Sequence, residues 1–282
     1  MHPRVNLHQV AFMDASTTAF IDHCRAIGVQ NVTLVTPKLM QPGGLEEAQL
    51  ALAAGGARAA VVNHPLAMGS NLELDRGDAS ASLTQAIDIA AALGAPHIYL
   101  VSGGRGHLSW DEAAARFAQV VAPCLAPARD KGVTLLVETA GSLNVDMHLA
   151  HTLDDTIRLA EIAGIGVCIE LHACWFEGGL REKFARAMPL TGLVQVSDYV
   201  SGDRTVPCRA VPGDGMIPLE GLLGDILELG YAGVFDLELV GPRIVAEGAR
   251  AASTRAADIS TITGMTDRSE IPTSARWSAP RA

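Results

Sequence analysis

Apolar residues rich in β-branched types recur along the chain in eight short runs, at about 4–9, 31–36, 59–64, 97–102, 133–138, 166–171, 193–198 and 234–240. Between them the spacing changes to Ala- and Leu-rich stretches with helical periodicity, as at 17–27, 80–93, 111–131, 153–163 and 219–229. Parallel strands need a crossover connection, usually a helix, and eight strand–helix units close naturally into a barrel. The pattern therefore predicts an α/β fold, a single (β/α)8 barrel. Punctuation agrees with this register. Gly28, Gly94, Gly132, Gly164 and Gly230 each close a helical stretch just before a strand, where the left-handed cap is cheap only for glycine. Ser109 followed by Trp110-Asp111-Glu112 reads as an N-cap with its capping-box glutamate. A last helical stretch is expected over 246–261. Residues 262–282 are Ser/Thr/Pro/Arg-rich and aperiodic, and are expected to form a mobile tail, leaving 1–261 as the one domain.

Composition narrows the class. The 282 residues are 49% hydrophobic and 18% charged, enough apolar surface for one large core. The formal charge of −10 repels phosphate backbones, so nucleic acid is not an expected partner. Lysine occurs only at Lys38, Lys131 and Lys183, which weakens any polybasic or Schiff-base reading. Five cysteines without a C-x-x-C pair read as reduced thiols rather than a disulfide frame or a zinc site. The N-terminus has no basic-then-apolar leader, and no apolar run reaches about 18 residues. The expectation is a cytoplasmic protein with no membrane partner and a small-molecule substrate, a homo-oligomer being allowed.

Four predicted strands carry an acidic or amide side chain at or near their carboxyl ends: Glu138, Glu170, Gln195 and Glu238, spaced 32, 25 and 43 residues apart. Side chains there face the barrel mouth, where active sites of this fold lie. Any one of them reads equally well as a solvated strand end. Four in sequential strands read better as a site, because carboxylates crowded together need a cation. Three Glu and one Gln offer oxygen only, which suits Mn2+ or Mg2+ better than Zn2+. Asp236 shares the strand parity of Glu238 and is expected one layer deeper, with no partner that the sequence names. His148 and His151 read as surface or loop residues. Ser102-Gly103-Gly104-Arg105-Gly106 is a weak phosphate-loop signal, lacking the Walker Lys-Ser/Thr pair.

The motifs Leu-Val-Glu138-Thr, Val-Cys-Ile-Glu170, Val-Gln195-Val-Ser-Asp198, Val211-Pro-Gly213-Asp-Gly215 and Leu-Glu238-Leu together resemble the xylose-isomerase-like TIM-barrel superfamily. That superfamily holds sugar phosphate isomerases and epimerases and AP endonuclease family 2, and the resemblance runs over about residues 4–245. It implies metal ligation by Glu138, Glu170, Gln195 and Glu238. It also implies a substrate-contacting arginine at Arg209; His64, His172 and Trp175 are further candidates for substrate contact. Two departures stand out: relatives usually carry Asp on strand six with His three residues later, where this chain has Glu170 and Ala173, and strand seven more often carries His than Gln. The expected activity is a divalent-metal-dependent isomerase or epimerase on a sugar or related hydroxy-carbonyl compound. Glu138 and Glu238 would exchange the proton through a metal-stabilised enediolate. A metal-dependent lyase, eliminating or dehydrating a keto-sugar, is the alternative enzyme. A non-catalytic metal- or ligand-binding barrel is the alternative from another class.

Overall fold

The computed structural model describes residues 1–67 and 71–258; the expected tail 262–282 and the end of the expected last helix lie outside these residues. Eight parallel strands close into a barrel in sequence order: β1 (Val5–His8), β2 (Asn31–Val35), β3 (Arg58–Pro65), β4 (His97–Val101), β5 (Thr134–Glu138), β6 (Gly166–Glu170), β7 (Thr191–Val196) and β8 (Phe235–Leu237). The barrel is sealed where β8 pairs with β1, Asp236 standing opposite Asn6.

The helices expected between strands are present within a few residues, at Thr17–Ala26, Asp78–Leu93, Trp110–Asp130, Leu153–Ala163 and Leu219–Glu228. Leu153–Ala163 shows why. Leu153, Ile157, Leu159, Ala160 and Ala163 recur on one face and are buried, Thr152 caps the first turn through Asp155 N–H, and Gly164 ends it at φ +68°. Each fully buried Leu or Ile contributes about 1.5–3 kcal/mol relative to leaving it in water. All five capping glycines have positive φ, and the capping box at Ser109 and Glu112 is complete. The helices Gly44–Ala53 and Leu180–Ala187 are additional to the expected set. The first starts directly after Pro42-Gly43, and the second is short, its apolar face reduced to Leu180, Phe184 and Ala187 among charged residues. The last helical stretch divides at Gly248 into Pro242–Glu247 and Ala249–Ala256.

Strand residues of one parity pack outward against the helices in the main core, with Val62, Val137, Val167 and Val194 among them. The opposite parity faces the barrel interior. Val61, Tyr99, Leu136, Cys168 and Leu193 form a separate buried cluster there. Two residues farther along the same parity come Glu138, Glu170 and Gln195, at the carboxyl-end mouth. Among the described residues no helix is long and apolar enough to cross a membrane.

Candidate active site

The register brings the four strand-end residues to one rim: Glu170 pairs with Gln195 and Gln195 with Asp236, while Glu138 pairs with Cys168, one layer below Glu170. Glu238 follows β8 directly. Relative exposure is 5% for Glu138, 1% for Glu170, 0% for Gln195 and 8% for Glu238, so these are not solvated strand ends. Burial raises the Glu138 pKa well above the ordinary carboxylate range, and the neighbouring Glu238 raises it further against the opposing pull of Arg209. Burial also raises Glu170, with Arg209 pulling it back.

The counter-charge comes from Arg209. Its Nη1 lies 2.7 Å from Glu170 Oε1 and its Nη2 2.7 Å from Glu238 Oε2. Burial alone would lower the Arg209 pKa, but Glu170 and Glu238 outweigh it and the pKa is raised. The backbone that delivers Arg209 is pinned to the chain just beyond β7 and just beyond β8. Arg209 N–H donates to Val240 C=O, and Ala210 pairs with Asp198 beyond β7. Asp198 in turn accepts from the N–H groups of Gly213, Gly215 and Ile217, folding the Val-Pro-Gly-Asp-Gly loop onto itself. A Cβ at Gly215 would lie 2.3 Å from Asp198 Oδ1, so only glycine permits this wrap. Asp198 is thus a structural anchor, a part the sequence motif contained without revealing its role.

Behind Glu238 runs a chain of fixed direction. Val10 N–H donates to His8 Nδ1 (2.9 Å), so a neutral His8 carries its proton on Nε2 and donates it to Tyr99 Oη (2.7 Å). The Tyr99 hydroxyl proton is then left for Glu238 Oε1 at 3.4 Å.

His148 stands apart from its expected place. It is in a loop, but buried, with Nε2 3.8 Å from Glu138 Oε2 and an Nδ1 that has no hydrogen-bond partner among the described residues. Burial pushes its pKa down to about 3, aided by His151 and Arg209, which keeps it neutral. No local signal marked it, because the residue enters the mouth through a loop with no strand periodicity.

The other candidates divide. His172 is half-buried beside Cys208 and Tyr199, at 3.9 Å from Cys208 Sγ, and burial followed by Arg209 lowers its pKa to about 3. Trp175 faces Tyr199 at 6.2 Å between centroids, so the two rings and His172 line one side of the mouth. His64 has the parity of Val62, which faces the helices, and its Nδ1 is paired with Thr36 Oγ1 at 2.9 Å. Among the described residues it makes no hydrogen bond to the other candidates, and its Nε2 has no hydrogen-bond partner. The glycines after β4 are explained by packing: a Cβ at Gly103 would meet Ala67 at 2.6 Å, and one at Gly104 would meet Asp146 O at 2.4 Å.

A family model described as xylose isomerase-like TIM barrel matches residues 21–258. The chain belongs to that family. No match is found among curated protein sequences. Several solved structures share the family fold with this chain. The IOLI protein with a binding zinc atom is 16% identical over 93% of this chain and 100% of its own, with a TM-score of 0.78. D-psicose 3-epimerase with D-tagatose from Clostridium cellulolyticum H10 is 15% identical over 89% and 96%, with a TM-score of 0.72. The probable 3-DHS dehydratase AsbF of petrobactin synthesis from Bacillus anthracis is 14% identical over 92% and 98%, also at 0.72.

The family fold raises the question of a metal, and the mouth answers in two parts. Glu138, Glu170, Asp236 and Glu238 crowd one end of the barrel, and the only Lys or Arg paired with them among the described residues is Arg209. Oxygen donors short of positive charge fit a hard divalent cation. The present spacing is that of carboxylates drawn onto a guanidinium. Among the described residues no three His, Cys, Asp or Glu side chains are yet gathered to hold an ion. A cation bound by Glu138, Glu170, Gln195 and Glu238 must therefore displace Arg209 from between Glu170 and Glu238.

Proposed function

We propose that this chain is a divalent-metal-dependent isomerase or epimerase acting on a sugar or a related small hydroxy-carbonyl compound. The observation that carries the reading is the buried pair Glu138 and Glu238. A buried carboxylate whose proton affinity is raised by burial and by a second carboxylate beside it, at a barrel mouth, is suited to take a proton from a carbon acid and return it. Glu138, with its elevated pKa, alternates between base and acid. Glu238 stands opposite, oriented by Tyr99 and held by Arg209. Neutral His148, beside Glu138, has a free ring nitrogen for a substrate hydroxyl. His172, Trp175 and Tyr199 wall the site from water, and Arg209, released from the carboxylates, can grip substrate oxygens bidentately. Glu138, Glu170, Gln195 and Glu238 would hold the ion, Mn2+ or Mg2+ by their all-oxygen chemistry, and it would supply Lewis-acid polarisation of the substrate carbonyl and its neighbouring hydroxyl.

The fold shared with a probable dehydratase supports a second reading, a lyase. The same proton abstraction with a leaving group on the β-carbon ends in elimination. The product separates the two. The protein, supplied with Mn2+ in deuterium oxide, is to be incubated with ketohexoses, smaller hydroxy-ketones and hydroxy-keto acids, and the products read by mass spectrometry and proton NMR. An isomerase or epimerase incorporates solvent deuterium at one carbon without other change in mass. A product lighter by water marks the lyase. A protein that binds Mn2+ yet exchanges no carbon-bound proton across the panel is a binding barrel, and the catalytic reading fails.

A further inference from the structure

One buried carboxylate at the floor of the mouth has no part in the proton transfer assigned above. Asp236 is fully buried on β8, between Asn6 of β1 and Gln195 of β7 in register. The polar groups that hydrogen-bond to it are all donors. Asn6 Nδ2 and Thr33 Oγ1 reach Oδ1 at 2.5 and 3.0 Å, and Gln195 Nε2 reaches Oδ2 at 3.3 Å. Asn6 Nδ2 also donates to Thr33 Oγ1 at 2.7 Å, which leaves the hydroxyl proton of Thr33 for Asp236. The directions agree around the whole group, and Asp236 acts purely as an acceptor.

This decides which way round Gln195 sits. The two ends of an amide have the same shape, and only their hydrogen-bond neighbours distinguish them. Oδ1 already takes Asn6 and Thr33 as donors, and Oδ2 receives the NH2 end of Gln195, whereas the C=O end there would set two acceptor oxygens against each other. The carbonyl oxygen is therefore turned away from Asp236, 3.3 Å from Cys168 Sγ, with a lone pair to spare. A cation needs that end of the amide, since the NH2 end has no electron pair to give.

We propose that Asp236 is a positioning residue for Gln195, locking the amide so that its oxygen, and not its nitrogen, is available to a bound cation. The inference rests on the metal-ion reading above. It predicts that the acceptor character of Asp236, rather than its volume, is what the site uses.

The test is Mn2+ affinity by isothermal titration calorimetry, with thermal melting as the control for folding. Asp236→Asn keeps the shape but turns a donor end toward one of its neighbours, so that Gln195 loses its preferred orientation. Affinity should fall 10- to 100-fold, the usual cost of losing a residue that orients a ligand. Adding Gln195→Glu to Asp236→Asn should bring affinity back to within a few-fold of wild type, because a carboxylate has no wrong end and accepts from the new amide. If Asp236→Asn does not fold, Gln195→Glu alone, which sets two carboxylates against each other, should melt below the double variant. Unchanged affinity in Asp236→Asn overturns the inference, and so does a double variant no better than the single one, or equal melting of Gln195→Glu and the double variant. These results leave the metal reading standing. Absence of Mn2+ binding in the wild-type protein removes both.

Discussion

Two residues along a strand separate two unlike layers of the barrel interior. On β5 the step is from Leu136 to Glu138, on β6 from Cys168 to Glu170, on β7 from Leu193 to Gln195. That step is about 7 Å of strand rise. The lower layer, completed by Val61 and Tyr99, is apolar but for the Tyr99 hydroxyl and the Cys168 thiol and is closed mainly by packing. The upper layer is equally buried, yet burial and the neighbouring carboxylates hold Glu138 and Glu170 at raised pKa, with Arg209 paired to Glu170 and Glu238. The lesson is that burial has opposite meanings in the two layers. Below, it is the source of stability. Above, it is a cost that Arg209 offsets only in part, and the same kind of substitution should change sign between them.

The largest effect expected is on the lower layer. Leu136→Asp places a carboxylate in a packed, fully buried apolar cluster, and should cost more than about 4 kcal/mol, read as loss of cooperative unfolding or a collapse in melting temperature. Glu138→Leu, one layer up on the same strand, should leave stability within about 1 kcal/mol of wild type or raise it, because it removes a buried charge instead of adding one. Equal destabilisation by both would erase the distinction between the layers.

Next comes turnover. Glu138→Gln and Glu238→Gln should each lower kcat by about a hundredfold or more while the protein remains folded, since the amide keeps the shape but cannot carry the proton. Recovery of wild-type rate at saturating Mn2+ would make that residue a ligand only.

A smaller effect is expected from the cation of the upper layer. Arg209→Met removes the guanidinium that stands between Glu170 and Glu238, and Mn2+ affinity measured by calorimetry should rise about tenfold, as befits relief of a like-charge neighbour at this range. Unchanged or weaker affinity would mean that Arg209 and the ion do not share the space. The smallest effect on turnover is that of Tyr99→Phe, which takes one hydrogen bond from Glu238 and should reduce kcat by about threefold to tenfold, while the buried His8 donor left without its acceptor should cost about 1–3 kcal/mol of stability, read by melting.

The barrel was largely legible in the sequence because its strands are β-branched runs and its helices are closed by glycines whose positive φ no other residue adopts cheaply. Helices such as Leu180–Ala187, whose apolar face is thin, were not. At the site, Glu138, Glu170, Gln195 and Glu238 could be found because strand parity and strand ends are local properties. The partners of Asp236 could not, since Asn6 and Thr33 lie 230 and 203 residues away and meet it only when β8 closes on β1. His148 enters by a loop, and the pairing of Arg209 with Glu170 and Glu238 depends on the Asp198 anchor, which is a set of backbone bonds rather than a residue pattern.

The central claim is that the upper layer is a cation site, and titration of Mn2+ into the metal-stripped protein tests it most directly. The account predicts one ion bound per chain, affinity at least tenfold weaker in Glu170→Gln, and activity that follows occupancy and disappears with EDTA. Failure of the wild-type protein to bind Mn2+, or binding that Glu170→Gln leaves unchanged, would contradict it.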